Sequence, residues 1–71
     1  MPTPVKAHIA GTVWKVEVGV GDPVTAGQTV VILESMKMEM PVESPSDGRV
    51  TRISVAPGQA VEEGATLLEL G

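Results

Sequence analysis

The sequence contains no cysteine, phenylalanine or tyrosine, and its one tryptophan is Trp14. Without cysteine there is no disulfide staple, no thiolate chemistry and no cysteine-ligated metal. Bases are scarce too: five Lys and Arg stand against nine Asp and Glu, for a net charge of −4. That balance argues against nucleic acid and anionic membranes as partners, since both are bound through clustered cations. No apolar run approaches the roughly 20 residues of a membrane helix. The N-terminal Met1-Pro2-Thr3-Pro4-Val5-Lys6 lacks the apolar stretch of a secretory signal, so a soluble cytoplasmic protein is expected. At 71 residues the chain makes one domain, with no room for a separate catalytic domain beside it.

What the chain does have is Val, Ile, Leu and Ala, within a hydrophobic content of 42%. β-Branched side chains favour pleated surfaces. Eight Gly and six Pro interrupt the sequence often, which predicts many short strands and opposes a helical bundle.

The sequence also repeats. A shift of about 37 positions lays Gly11-Thr12-Val13-Trp14-Lys15-Val16-Glu17-Val18 on Gly48-Arg49-Val50-Thr51-Arg52-Ile53-Ser54-Val55. Gly21, Val24 and Gly27 then meet Gly58, Val61 and Gly64, while Val30, Val31 and Leu33 meet Leu67, Leu68 and Leu70. Pro4-Val5 meets Pro41-Val42, so the copies run over about 4–34 and 41–71. Glycines and aliphatics match while polar positions diverge, as expected when packing and backbone geometry are what the copies share. Two copies are too few for a solenoid, so they must pack on each other.

Each copy reads as strand, turn, short strand, turn, strand. Val16 and Val18, like Ile53 and Val55, alternate with polar residues at the period of a half-buried strand. Val13 and Val50 sit one residue out of phase in both copies, which a bulge or a locally two-sided strand would explain. Gly27 and Gly64 are expected at positive φ. Thr29–Leu33 and Thr66–Leu70 look like the better-buried strands. The expectation is an all-β sandwich of two related halves with almost no helix.

The repeat breaks at Glu34-Ser35-Met36-Lys37-Met38-Glu39-Met40, between the halves. Strand-like sequence on both sides predicts a tight hairpin centred on Met36 and Lys37. Such turns prefer Asn-Gly, Asp-Gly or Gly at the tip, and none is present. Met and Lys there imply that the side chains matter more than the comfort of the turn. A lysine amine in water is protonated and a poor nucleophile near neutral pH, but it is a good acceptor for an enzyme that brings an activated acyl group. Flexible, polarisable Met36 and Met38 suit a surface that several partners read. Out of context, Met-Lys-Met is an ordinary strand segment with an outward Lys. Its place at the single join between two copies, flanked by Glu34 and Glu39, overrides that reading.

Glu34-Ser35-Met36-Lys37-Met38 resembles the Glu-Ala/Ser-Met-Lys-Met signature of the biotinyl domains of biotin-dependent carboxylases. The resemblance covers the whole chain. Gly21-Asp22-Pro23-Val24-Thr25-Ala26-Gly27-Gln28 is similar to the family's Gly-Asp-x-Val-x-x-Gly-Gln turn, and Ser44-Pro45-Ser46-Asp47-Gly48 to its entry into the second half. The chain is similar in scale to small free-standing biotin/lipoyl attachment proteins, and lacks the thumb inserted in some bacterial biotin carriers. The resemblance implies a flattened β-barrel, or barrel-sandwich hybrid, of two four-stranded antiparallel sheets related by a quasi-twofold axis. It implies biotin attached to Lys37 by an ATP-using biotin protein ligase, with Met36 and Met38 beside it and Glu34, Ser35 and Glu39 read by the ligase. It further implies partners: a biotin carboxylase that loads the arm from bicarbonate, and a carboxyltransferase whose acceptor is typically an acyl-CoA. On this reading the domain is a carrier without catalysis of its own.

Two other readings compete. A lipoyl carrier of a 2-oxo acid dehydrogenase complex shares fold and lysine, but lipoyl domains usually show Asp-Lys-Ala where this chain has Met36-Lys37-Met38. An unmodified β scaffold module would leave Lys37 free. Other residues are weighed as background. His8, the only histidine, has no catalytic or metal constellation around it. Trp14 is read as a core or edge filler, with a partner-contacting surface aromatic as the minority view. Glu62-Glu63 reads as a solvated turn. Gly19-Val20-Gly21 lacks the spacing and following helix of a phosphate loop, and Arg49 with Arg52 is too small a basic patch for nucleic acid.

Overall fold

The computed structural model describes residues 3–71; Met1 and Pro2, within the expected 1–71 domain and N-terminal reading, lie outside the described residues. Eight strands follow in order: β1 (Thr3–Lys6), β2 (Gly11–Val16), β3 (Pro23–Val24), β4 (Thr29–Ser35), β5 (Met38–Glu43), β6 (Gly48–Ile53), β7 (Ala60–Val61) and β8 (Thr66–Leu70). No helix forms among the described residues. The strands make two four-stranded antiparallel sheets, ordered β1-β8-β6-β3 and β5-β4-β2-β7. Adding four to each strand number, modulo eight, turns one sheet into the other, which is the quasi-twofold expected from the repeat.

The halves interlock. Each sheet takes its central pair from one copy and its two outer strands from the other. The loops obey the same exchange: the Gly21 amide donates to the Val50 carbonyl at 2.7 Å, and Gly58 donates to Val13 at 2.7 Å. Likewise Gly27 donates to Ser44 and Gly64 to Ala7. These turns need left-handed backbone, and Gly27 (φ 86°) and Gly64 (φ 88°) supply it without Cβ strain.

The core also comes in pairs. Val5 and Val42, Ala7 and Ser44, Val13 and Val50, Val24 and Val61, Val30 and Leu67, Val31 and Leu68, and Leu33 and Leu70 are all buried. In six pairs both members are apolar; Ser44 is the polar exception, and its hydroxyl donates to the Ser46 carbonyl at 2.6 Å. A buried hydroxyl so bonded carries no large desolvation penalty.

The register shifts between Val13 and Lys15 against β4, and between Val50 and Arg52 against β8. The phase slip is therefore a bulge-type irregularity in both copies. A second pair of shifts, between Thr29 and Val31 and between Val5 and Lys6, falls at symmetric places. It accounts for the adjacent buried residues Val30-Val31 and Leu67-Leu68, which strict alternation would forbid. Two expectations need correction. Trp14 is not core filler: it is the extra residue of the first bulge, on a strand inside its sheet, and is 49% exposed. Val18 and Val55 lie beyond the strands, which end at Val16 and Ile53, although both still pack against the core.

Candidate functional site

The longest cross-strand pairing among the described residues is the β4–β5 hairpin, from Thr29↔Glu43 up to Ser35↔Met38. Only Met36 and Lys37 remain for the loop. A two-residue hairpin loop that follows the twist of its strands takes the I′ form, with both central residues at positive φ. Met36 (φ 53°) and Lys37 (φ 65°) adopt it, and they are the only described non-glycine residues in the left-handed region. A Cβ makes that conformation unfavourable by about 1–2 kcal/mol per residue. Among the described residues, left-handed strain at a non-glycine residue occurs only where the repeat breaks.

This geometry puts Lys37 in water. Met36 is 91% exposed and Met38 60% exposed, and Lys37 between them is exposed as well. The one ion pair among the described residues is Lys15 with Glu17 at 3.5 Å, so the Lys37 ammonium is not bound in a salt bridge. Residue 37 is neither packed in the interior nor on a helix, the two placements that would exclude an acceptor role.

Just below the tip, Glu34 and Glu39 are direct cross-strand partners, both exposed. Like charges in that position repel. Ser35 is half-buried and turns toward the body: its Cβ lies 3.4 Å from where a Cβ on Gly11 would stand. Glu34 presses on the same glycine, its carbonyl oxygen only 2.6 Å from that point, so glycine alone lets β2 approach the hairpin stem this closely. Of the six sequence-predicted residues, five are exposed around the tip and Ser35 braces the stem.

The other end of the hairpin meets the rest of the fold. β5 leads from the tip to Ser44, whose amide donates to the Gln28 carbonyl, and four residues later Gly48 packs on Leu70 and Gly71. The C-terminal residues therefore sit at the base of the hairpin, about 20 Å of strand away from Lys37. His8 is exposed in the bend between β1 and β2, and Glu62-Glu63 is an exposed turn, as expected. The sequence reading gives an exposed Trp14 only as its minority view. The matching residue in the other copy, Thr51, is the available signal, because an aromatic confined to one copy cannot belong to the shared core.

Comparison with known proteins gives the same direction. Residues 1–70 match the family model for the biotin/lipoyl domain, described as biotin-requiring enzyme. The biotin/lipoyl attachment protein of Bacillus subtilis is 47% identical over 66 residues, which cover 93% of this chain and 90% of that protein. The biotin-dependent acyl-coenzyme A carboxylase alpha3 subunit of Mycobacterium leprae is 46% identical over 66 residues, yet the chain spans only 11% of its length. The crystal structure of the Kluyveromyces lactis urea carboxylase superimposes with a TM-score of 0.94 at 34% identity, covering 100% of this chain and 6% of that one. The fold, the lysine hairpin and these matches lead to one conclusion: the chain belongs to the biotin/lipoyl attachment family.

Proposed function

We propose that this domain is a biotin carrier, modified on the Nζ of Lys37 and presented to the enzymes of a biotin-dependent carboxylase. The observation that supports it most is the strained two-residue tip: Met36 and Lys37 hold left-handed backbone in order to project an amine into water. The residues present fit the group, since an acyl chain on Lys37 would meet no packed neighbour and displace no ion pair.

The chain's part in loading is small. Nζ, once it gives up its proton to the ligase site or solvent, attacks the acyl carbonyl of biotinyl-adenylate. A C–N amide bond forms, the bond from carbonyl carbon to phosphate oxygen breaks, and AMP leaves. Biotin, when attached, supplies a ureido nitrogen that carries a carboxyl group from one enzyme site to the other. The chain then contributes position: a rigid hairpin base fixes the origin of the arm, so each encounter is governed by a tether length rather than by free diffusion. Catalysis resides in the partner enzymes. Met38 rather than the usual lipoyl-type alanine after the lysine favours biotin over lipoate.

Intact mass after co-expression with a biotin protein ligase tests this. Unaltered chain gains one biotinyl group, its formal net charge goes from −4 to about −5, and it elutes later from an anion exchanger. Lys37→Arg, which keeps the charge and removes the acceptor amine, gains nothing. A lipoyl-sized increment, or no increment in the native host, would overturn the assignment.

A further inference from the structure

The two sheets share one strand arrangement and have unlike outer faces. On the β5-β4-β2-β7 sheet, the register sets Lys15 beside Ile32 and Ile32 beside Pro41, with Trp14 displaced outward by the bulge next to Lys15. This row is apolar apart from Lys15, whose ammonium is engaged by Glu17. Toward the tip, the adjoining row is Thr12, Glu34 and Glu39; toward the base lies Glu43. The equivalent row on the other sheet is Thr51 and Arg52, then Glu69, then Pro4. It is flanked by Arg49 and Lys6 in the places of Thr12 and Glu43.

One face is thus an apolar strip rimmed by four carboxylates with one engaged lysine; the other bears three cations and one carboxylate. The fold does not require the strip, because Thr51 and Glu69 occupy the same backbone positions across the quasi-twofold. An indole left 49% exposed at such a site is an unmet hydrophobic surface.

We infer that this strip is a docking surface for the enzyme that acylates Lys37, and that the enzyme meets it with an apolar recess surrounded by Lys or Arg. The inference rests on the carrier reading. Ile32 lies five residues from Lys37, at most about 17 Å at strand spacing. A standard interface occupies about 800 Å² per partner, a disc about 32 Å across, so an enzyme whose contact includes the tip spans the distance to the strip. A buried aromatic anchor with a charged rim is the usual source of binding energy in such contacts, and the uncompensated carboxylates select a cationic counter-surface.

The experiment measures steady-state biotinylation of the domain by the host's biotin protein ligase, with biotin and ATP. The variant Trp14→Thr/Ile32→Glu installs the residues of the opposite face. It is expected to raise KM for the domain tenfold or more with kcat unchanged, while its urea midpoint stays close to that of the parent. Glu43→Lys, which leaves the apolar strip intact, is expected to raise KM about threefold and to flatten its dependence on salt. Arg52→Glu, on the opposite face, is expected to leave both constants unchanged. Unaltered KM in both strip variants, with Lys37 still modified, overturns the docking surface and spares the carrier assignment. No adduct on the parent chain overturns the carrier assignment and the inference with it. Self-association of the parent in sedimentation, abolished by Trp14→Thr/Ile32→Glu, would assign the strip to a second copy and overturn docking on the enzyme.

Discussion

The two halves of this domain share a backbone and a core, and differ in what they offer to solvent. Val13 and Val50, Val31 and Leu68, and Leu33 and Leu70 are interchangeable in role, each buried at its matched position. Outside the core, the turn glycines and the bulges, the correspondence stops. Trp14 answers to Thr51 across the axis, Ile32 answers to Glu69, and the tip at Met36-Lys37 has no counterpart within the chain. The difference shows where physical constraint ends: packing and turn geometry hold both copies to one pattern, and the positions that face solvent have been free to diverge.

The strongest way to break this comparison is in the core. Leu33→Ala and Leu70→Ala each delete a fully buried side chain at matched positions, and each is expected to destabilise by about 3–4 kcal/mol. Urea unfolding checks it, and a gap above about 1.5 kcal/mol between them would show that the halves are unequally packed. The close approaches should be less symmetric. Gly11→Ala places a Cβ 2.6 Å from the Glu34 carbonyl oxygen, whereas at Gly48 the nearest atom is the Leu70 Cβ at 3.3 Å. A backbone oxygen cannot step aside, so Gly11→Ala is expected to lose about 2 kcal/mol or more and Gly48→Ala about half that. Thermal melts of the two variants side by side settle the order.

At the tip the sign reverses. Met36→Gly relieves left-handed strain and is expected to stabilise by about 1 kcal/mol, while slowing biotinylation because a side chain beside the acceptor is gone. A stabilised variant with an unchanged modification rate would mean that Met36 serves the turn and not the partner. The smallest effect is expected at Ser44. Ser44→Ala removes the bond to Ser46 and reproduces the residue that the other half carries at Ala7. The loss should be about 0.5 kcal/mol in chemical unfolding, the low end for a neutral hydrogen bond.

Much of this is legible in the sequence, for identifiable reasons. Glycine at positive φ and aliphatics in the core are imposed by sterics and burial, so Gly27, Gly64 and the paired valines stand out in a self-comparison. The phase slip at Val13 and Val50 is legible too, because a change of register must appear as a change of period. It fits a locally two-sided strand equally, and only the register shifts decide for the bulge. The hairpin at Met36-Lys37 is visible as the place where the copies meet. The exchange of outer strands between the halves is not, since alternation reports which face is buried and is silent about which strand lies alongside. Trp14 escapes for a related reason: an aromatic is usually interior, and a bulge that rotates one residue outward leaves no trace in composition.

The interlocking of the copies bears on the Lys37 loop itself. Because each half completes the sheet of the other, the molecule is built like a pair of subunits that have traded arms. The covalent link joining the pair is the Met36-Lys37 turn, so the one segment that makes the two halves a single chain is also the segment that the proposed carrier function hands over to foreign enzymes.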